Sequence, residues 1–213
     1  WANGLKVAII DSFGDQVISV ASTVGASVGM GVTQTASGVL PGAGTTSVLD
    51  GTFKGIITEI GTGTITVKFL SHTPSGGTET EKDYEASGVY KFGTGAITVV
   101  NNSAVGVLTT TASGTADWFD SQTITTTNGD PISWNQIADR PGTSAYAAAR
   151  SSRFDEVHVV VIDDDGDVTG NAGTILEKNL NLSKAKDAEF STGSTSYWRK
   201  FLLNASNNIF ALS

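Results

Sequence analysis

The stretch Asp155–Leu182 constrains this chain more than any other. Val157, Val159 and Val161 alternate with His158, Val160 and Ile162, an unbroken, largely β-branched run that predicts a strand buried on both faces. The run stops at Asp163-Asp164-Asp165-Gly166-Asp167, where adjacent carboxylates need water and so predict a solvent-exposed tip. Gly166 supplies the reversal, and Val168 and then Gly173–Leu182 resume an extended pattern. The expectation is a strand, an acidic turn and a return strand that leads into a helical segment.

The rest of the composition agrees with a β-rich chain. At 213 residues there is enough sequence for one large domain, or one domain carrying an insertion. Glycine, at 25 residues, is well above the usual ~7% and there are only four prolines, which with many Thr, Val and Ile favours short strands joined by turns. A formal charge of −8 argues against a nucleic-acid surface, which would need a basic stripe. The lack of cysteine rules out disulfides and thiolate metal sites and fits a reducing compartment. No apolar run approaches the ~20 residues of a membrane span, and no signal-peptide pattern is present. The chain starts at Trp1, so it reads as a piece of a longer protein.

In order, Leu5–Ile10 predicts a strand, with Gln16–Val20 extending the sheet, and Ala21–Gly51 predicts loops around a weak strand at Val28–Thr33. Thr52–Ile60 and Thr64–Leu70 form a hairpin about Gly61-Thr62-Gly63, and Lys82–Phe92 and Gly95–Val100 supply further strands. The segment 115–139, with anchors Trp118, Phe119, Ile124, Ile132, Trp134 and Ile137, reads as a crossing connection. Ser144–Arg150 predicts a short helix capped by Ser144 or Thr143. Ser196–Ala205 predicts an amphipathic helix, and Ile209–Leu212 a last strand. The fold class expected is therefore β-dominated α+β. A mixed or antiparallel core domain (1–20 with 140–213) carries a small barrel- or sandwich-like β module (21–114), joined back by 115–139.

Candidate chemistry is sparse. Counting an EF-hand loop from Asp163, Asp165 and Asp167 fit, but the sixth residue is Val168 rather than Gly and the twelfth is Thr174 rather than Glu. His72 and His158 lack metal or metalloprotease spacing, and His158 sits inside the valine strand as a structural histidine would. No Gly-x-Ser-x-Gly elbow occurs. Gly29-Met30-Gly31, Gly61-Thr62-Gly63 and Gly93-Thr94-Gly95 lack the third glycine of a dinucleotide fingerprint and read as turns. The expectation is no catalytic, cofactor-binding or metal residue, and a role in assembly. Residues 154–167 carry six acids and no Lys or Arg, while 178–200 carry Lys178, Lys184, Lys186, Arg199 and Lys200 against Asp187 and Glu189, so the two segments read either as solvated faces or as salt-sensitive contacts between copies.

Three ordered stretches resemble the contractile tail sheath proteins of myovirus-type bacteriophages. They are Trp1–Val7, Arg140–Ser144 running to Asp155–Val161, and Leu176–Lys178 with Leu182–Ala188 and Tyr197–Lys200. The resemblance implies a virion structural protein, the middle portion of a sheath subunit assembled in the host bacterial cytoplasm. Such subunits form homo-oligomers, stacked rings in a helical sheath, around a tail tube protein. They meet baseplate and tail terminator proteins, without direct nucleic-acid contact, membrane insertion or cofactor. It also implies contraction that drives the tube through the host envelope, with strands exchanged between neighbours. A second reading from the Gly/Thr-rich segment is an adhesin-like or baseplate module that binds a surface or glycan. A third is a surface protein stabilised by calcium at Asp163–Asp167.

Overall fold

Alternating β-branched and aromatic residues become strands over most of this chain. The computed structural model describes residues 4–36, 51–85, 90–93, 95–101, 105–111, 116–127 and 130–209. Along it run β1 (Leu5–Asp11), β2 (Gln16–Ser19), β3 (Gly31–Ala36), β4 (Gly51–Gly61), β5 (Thr64–Thr73), β6 (Thr80–Glu81), β7 (Ala96–Val100), β8 (Val105–Thr109) and β9 (Ala116–Asp117). There follow β10 (Thr123–Ile124), β11 (Ile132–Ser133), α1 (Ala145–Ala148), β12 (Glu156–Asp163), β13 (Thr174–Ser183), β14 (Glu189–Ser191), β15 (Ser194–Thr195) and α2 (Trp198–Ala205). The protein is β-dominated, with antiparallel sheets. It divides into two compact units, residues 1–13 with 121–213, and residues 14–120.

The first unit is built on a three-stranded sheet in the order β1-β12-β13. β1 lies antiparallel to β12 in unbroken register, from Leu5 opposite Asp163 to Asp11 opposite Val157. From Val157 to Asp163 every side chain of β12 is buried, as a strand covered on both faces requires. Val157, Val159 and Val161 point into a core with Leu182, Leu202 and Ile209, and each such side chain removed from water contributes on the order of 1.5–3 kcal/mol. α2 lies over that core through Leu202. Ile209 is buried there too, while 210–212, where a last strand was expected, fall outside the described residues. Two small ladders, β10 with β11 and β14 with β15, complete the unit, and Ile124, Trp134 and Ile137 are buried.

α1 is capped at Ser144, whose Oγ accepts from the Ala147 N–H at 3.1 Å. Asp155 holds the cap in place. Its carboxylate accepts from the Ser144 N–H (2.8 Å), the Ser144 hydroxyl (2.7 Å) and the Ser183 hydroxyl. One buried carboxylate thus ties α1 to the end of β13.

The second unit is an eight-stranded antiparallel sheet curled into a half-barrel, in the order β8-β7-β3-β4-β5-β2-β9 with β6 paired to β5. Period-two alternation sets its inner face. Along β4, Phe53, Gly55 and Ile57 point inward, and β5 answers with Ile65, Val67 and Phe69. Gly55 makes room for Phe92, because a Cβ there would stand 2.7 Å from the Lys68 carbonyl and 2.9 Å from the Phe92 ring. β2 belongs to this sheet through β5 and β9.

The expected strand over Lys82–Phe92 is absent among the described residues, which are irregular at 82–85 and 90–93. Side-chain amides replace the ladder there. Gln16 accepts from the Phe92 N–H at 2.8 Å and donates to the Phe92 carbonyl at 2.7 Å. Gln34 treats Gly93 the same way, at 2.7 and 3.0 Å. Two buried glutamines therefore do for this segment what a neighbouring strand does elsewhere, leaving its backbone groups satisfied inside the core.

Candidate functional site

The acidic turn after β12 is organised from within. Asp163 is fully buried, not at a solvated tip as its neighbours in sequence suggest. Its carboxylate accepts from the Gly166 N–H (3.1 Å), the Val168 N–H (3.1 Å), the Thr169 N–H (2.6 Å) and the Thr169 hydroxyl (2.7 Å). Burial pushes its pKa up, but the donors from Thr169, Val168 and Gly166 outweigh that and hold it below the ordinary value of 3.8. The strand can end on a buried charge because the following loop folds back to solvate it with N–H and O–H groups.

Asp164 is also engaged. Thr127 donates to it through its hydroxyl and through its N–H at 2.9 Å, and the Lys6 ammonium lies 4.0 Å away. The Thr127 hydroxyl lowers its pKa most, burial opposes, and the Thr127 N–H and Lys6 lower it further. Asp165 and Asp167 remain exposed. Gly4, at φ +89°, runs against Asp165, where a Cβ would meet the carboxylate oxygen at 2.1 Å.

This geometry bears on the calcium reading. The oxygens of Asp163 face hydrogen-bond donors, whereas a cation needs converging acceptors. Among the described residues no group of three or more His, Asp or Glu converges as a metal would require. Two further, half-buried carboxylates are likewise spent on the fold. Glu177 on β13 accepts from the Ser206 hydroxyl (2.6 Å), the Asn207 N–H (2.8 Å), the Asn208 N–H (3.1 Å) and the Asn208 amide (2.7 Å). Burial raises its pKa, and the bonds from Ser206, Asn207 and Asn208 bring it below the ordinary 4.5. Glu156 accepts from the Gly142 N–H at 2.8 Å. Of the six acids in 154–167, four are engaged with the protein's own N–H and O–H groups, so the acidic segment is far less free than its composition suggests.

His158 and His72 lie in different units. His158 is buried, with both ring nitrogens bonded to backbone at Asp139 and Asn181. His72 is buried and stacks on Phe53 with ring centroids 4.8 Å apart.

No family model, curated protein or solved structure matches this chain.

What the structure leaves exposed is an edge. β12 is the only strand partner of β1 among the described residues, so the other side of β1 is an edge with no described strand against it. Its two charges are already countered, Lys6 by Asp164 and Asp11 by Lys184 at 3.2 Å. Ile9 stands 55% exposed beside a groove of about 380 Å³ lined by Ile9, Asp11, Val157, Lys184 and Trp198. Sequence reasoning found the strand but not its open side, since the same alternation describes a central strand and an edge strand equally well.

Proposed function

We propose that the chain is a structural subunit of a phage contractile tail sheath. It would polymerise helically around the tail tube and contract to drive that tube through the host envelope. The observation that carries this reading is where the three sheath-like stretches go. Those of their residues that are described fall in β1, in the loop and N-cap before α1, in β12, in β13 and the turn after it, and in α2, all within the compact unit 1–13 with 121–213. Residues distant in sequence but alike in resemblance share one sheet and its covering helix. Under this reading 14–120 is an inserted barrel-like module, and the partners are further copies of the subunit, the tube, the baseplate and the tail terminator. Negative-stain electron microscopy of the full-length protein across a range of salt concentrations tests it. Rings or helical tubes are expected, and dispersed particles at every salt concentration would refute it.

A second reading, a surface- or glycan-binding module, draws on exposed valines of the unit 14–120: Val24 at 87%, Val28 at 63% and Val107 at 64%. It expects saturable binding to host cells that Val24→Asp with Val28→Asp abolishes.

A further inference from the structure

We infer that β1 is a self-pairing edge, and that two copies of this protein join their first sheets through it about a two-fold axis at Ala8. The argument begins with charge. A chain at net −8 repels its copies, so a contact between them has to form where the local charge is cancelled. β1 is such a place. Lys6 donates its Nζ–H to the Thr125 carbonyl and lies beside Asp164, and Asp11 is paired with Lys184, so neither brings an uncompensated charge to the edge.

Register follows from symmetry. When an antiparallel strand pairs with its own copy, opposed residues must point to the same face, which allows only registers centred on a residue. Centring on Ala8 uses all seven residues of β1, Leu5 to Asp11. Ala8 then meets Ala8 at the axis, Val7 meets Ile9 twice, Lys6 meets Ile10 and Leu5 meets Asp11. No like charges are opposed.

The same register accounts for the exposed apolar surface. Leu5 and Val7 pack on the core beneath α2, so Ile9 and Asp11 share that face. Ile9, 55% exposed in the single subunit, is covered by Val7 of the second copy. Leu5 of the second copy comes opposite Asp11, at the groove that Ile9, Val157 and Trp198 line. The product is a continuous six-stranded antiparallel sheet, β13-β12-β1 followed by its symmetry mate. The contact is isologous and closes on two subunits, so it stands apart from the helical lattice proposed above and does not depend on it.

The chain has no cysteine, which makes a thiol test clean. In this 213-residue chain under mild oxidation, Ala8→Cys puts two thiols directly opposite, at Cβ separations of about 4.5–5.5 Å before closure, and gives a disulfide-linked dimer on a non-reducing gel. Ile9→Cys faces Val7 instead and gives at least about fivefold less dimer. Adding Ile9→Lys to Ala8→Cys suppresses the crosslink, with circular dichroism unchanged. Sedimentation of the wild type shows a concentration-dependent dimer that Ile9→Lys abolishes. A folded Ala8→Cys protein that does not crosslink, equal crosslinking at both positions, or a wild type that is monomeric at all concentrations overturns the inference. Helical polymers without the Ala8→Cys crosslink would remove this contact and leave the sheath reading standing.

Discussion

His158 Nδ1 accepts a hydrogen bond from the Asn181 N–H at 3.0 Å, across a break in the β12–β13 register between Val157 and Val159. The ring proton sits on Nε2, which donates to the Asp139 carbonyl at 2.8 Å. Asn181 takes φ +54°, outside the strand region, and the imidazole supplies the partner its N–H would otherwise find on β12. The side chain thus replaces a missing rung of the ladder.

Replacing it with an isostere that cannot bond should be costly. His158→Leu removes the partner of the Asn181 N–H and of the Asp139 carbonyl, both in part-buried bonds, for a loss of about 1–2 kcal/mol measured by urea unfolding. An unchanged midpoint would show that water fills both roles.

Asp163→Asn keeps the shape but sets an amide N–H₂ against N–H donors from Val168 and Thr169. A lower melting temperature and faster amide exchange at Val168 and Thr169 are expected. Excess Ca²⁺ or a chelator should leave the wild-type melting temperature where it is, and a rise with Ca²⁺ would restore the calcium reading.

Acid should weaken the protein early. Asp163, Asp164 and Glu177 all have folded pKa values below their ordinary ones, so the unfolded chain binds protons first as pH falls. Their stabilisation is complete above the ordinary values, 4.5 for Glu177 and 3.8 for the aspartates, and is lost as pH drops through the lower folded values. Urea midpoints from neutral pH into that acid range should fall, and Glu177→Gln should flatten the fall. Glu177→Ala should also open the Ser206–Ile209 segment to proteolysis.

In the unit 14–120, Gly55→Ala should cost about 1–3 kcal/mol by driving a methyl group into the Lys68 carbonyl and the Phe92 ring. Phe92→Ala alone should cost about 3–5 kcal/mol. The double variant should not recover the Gly55→Ala loss in full, because the carbonyl clash remains. Full additivity in thermal unfolding would show that Phe92 does not lean on Gly55.

How much of this was legible depended on how local the cause was. The valine run of β12, the Ser144 cap and the periodicity of α2 act through neighbours a few residues away, and each is visible as a pattern. Gln16 and Gln34 act on residues 92 and 93, far along the chain, and a glutamine that bonds to distant backbone looks like any other polar residue. The acidic run misled for a related reason: composition cannot say which carboxylate turns inward. The sequence does hold a signal, since Gly166 and Thr169 follow Asp163 at offsets from which a loop can wrap a carboxylate. Of the candidate interface, the strand was readable and its open side was not, because edges are a property of the assembled sheet.

The pairing of Leu5 with Asp163 also dictates a timetable. On the ribosome β1 is made before 14–120, and its only strand partner among the described residues emerges after that whole segment. All the strands of the eight-stranded sheet lie inside that interval, so the inner unit can mature while β1 stays unpaired. Once folded, it turns a long slack loop into a short effective one and lowers the entropy lost when β1 and β12 close. Nascent chains would then fold 14–120 before the unit whose two segments flank it.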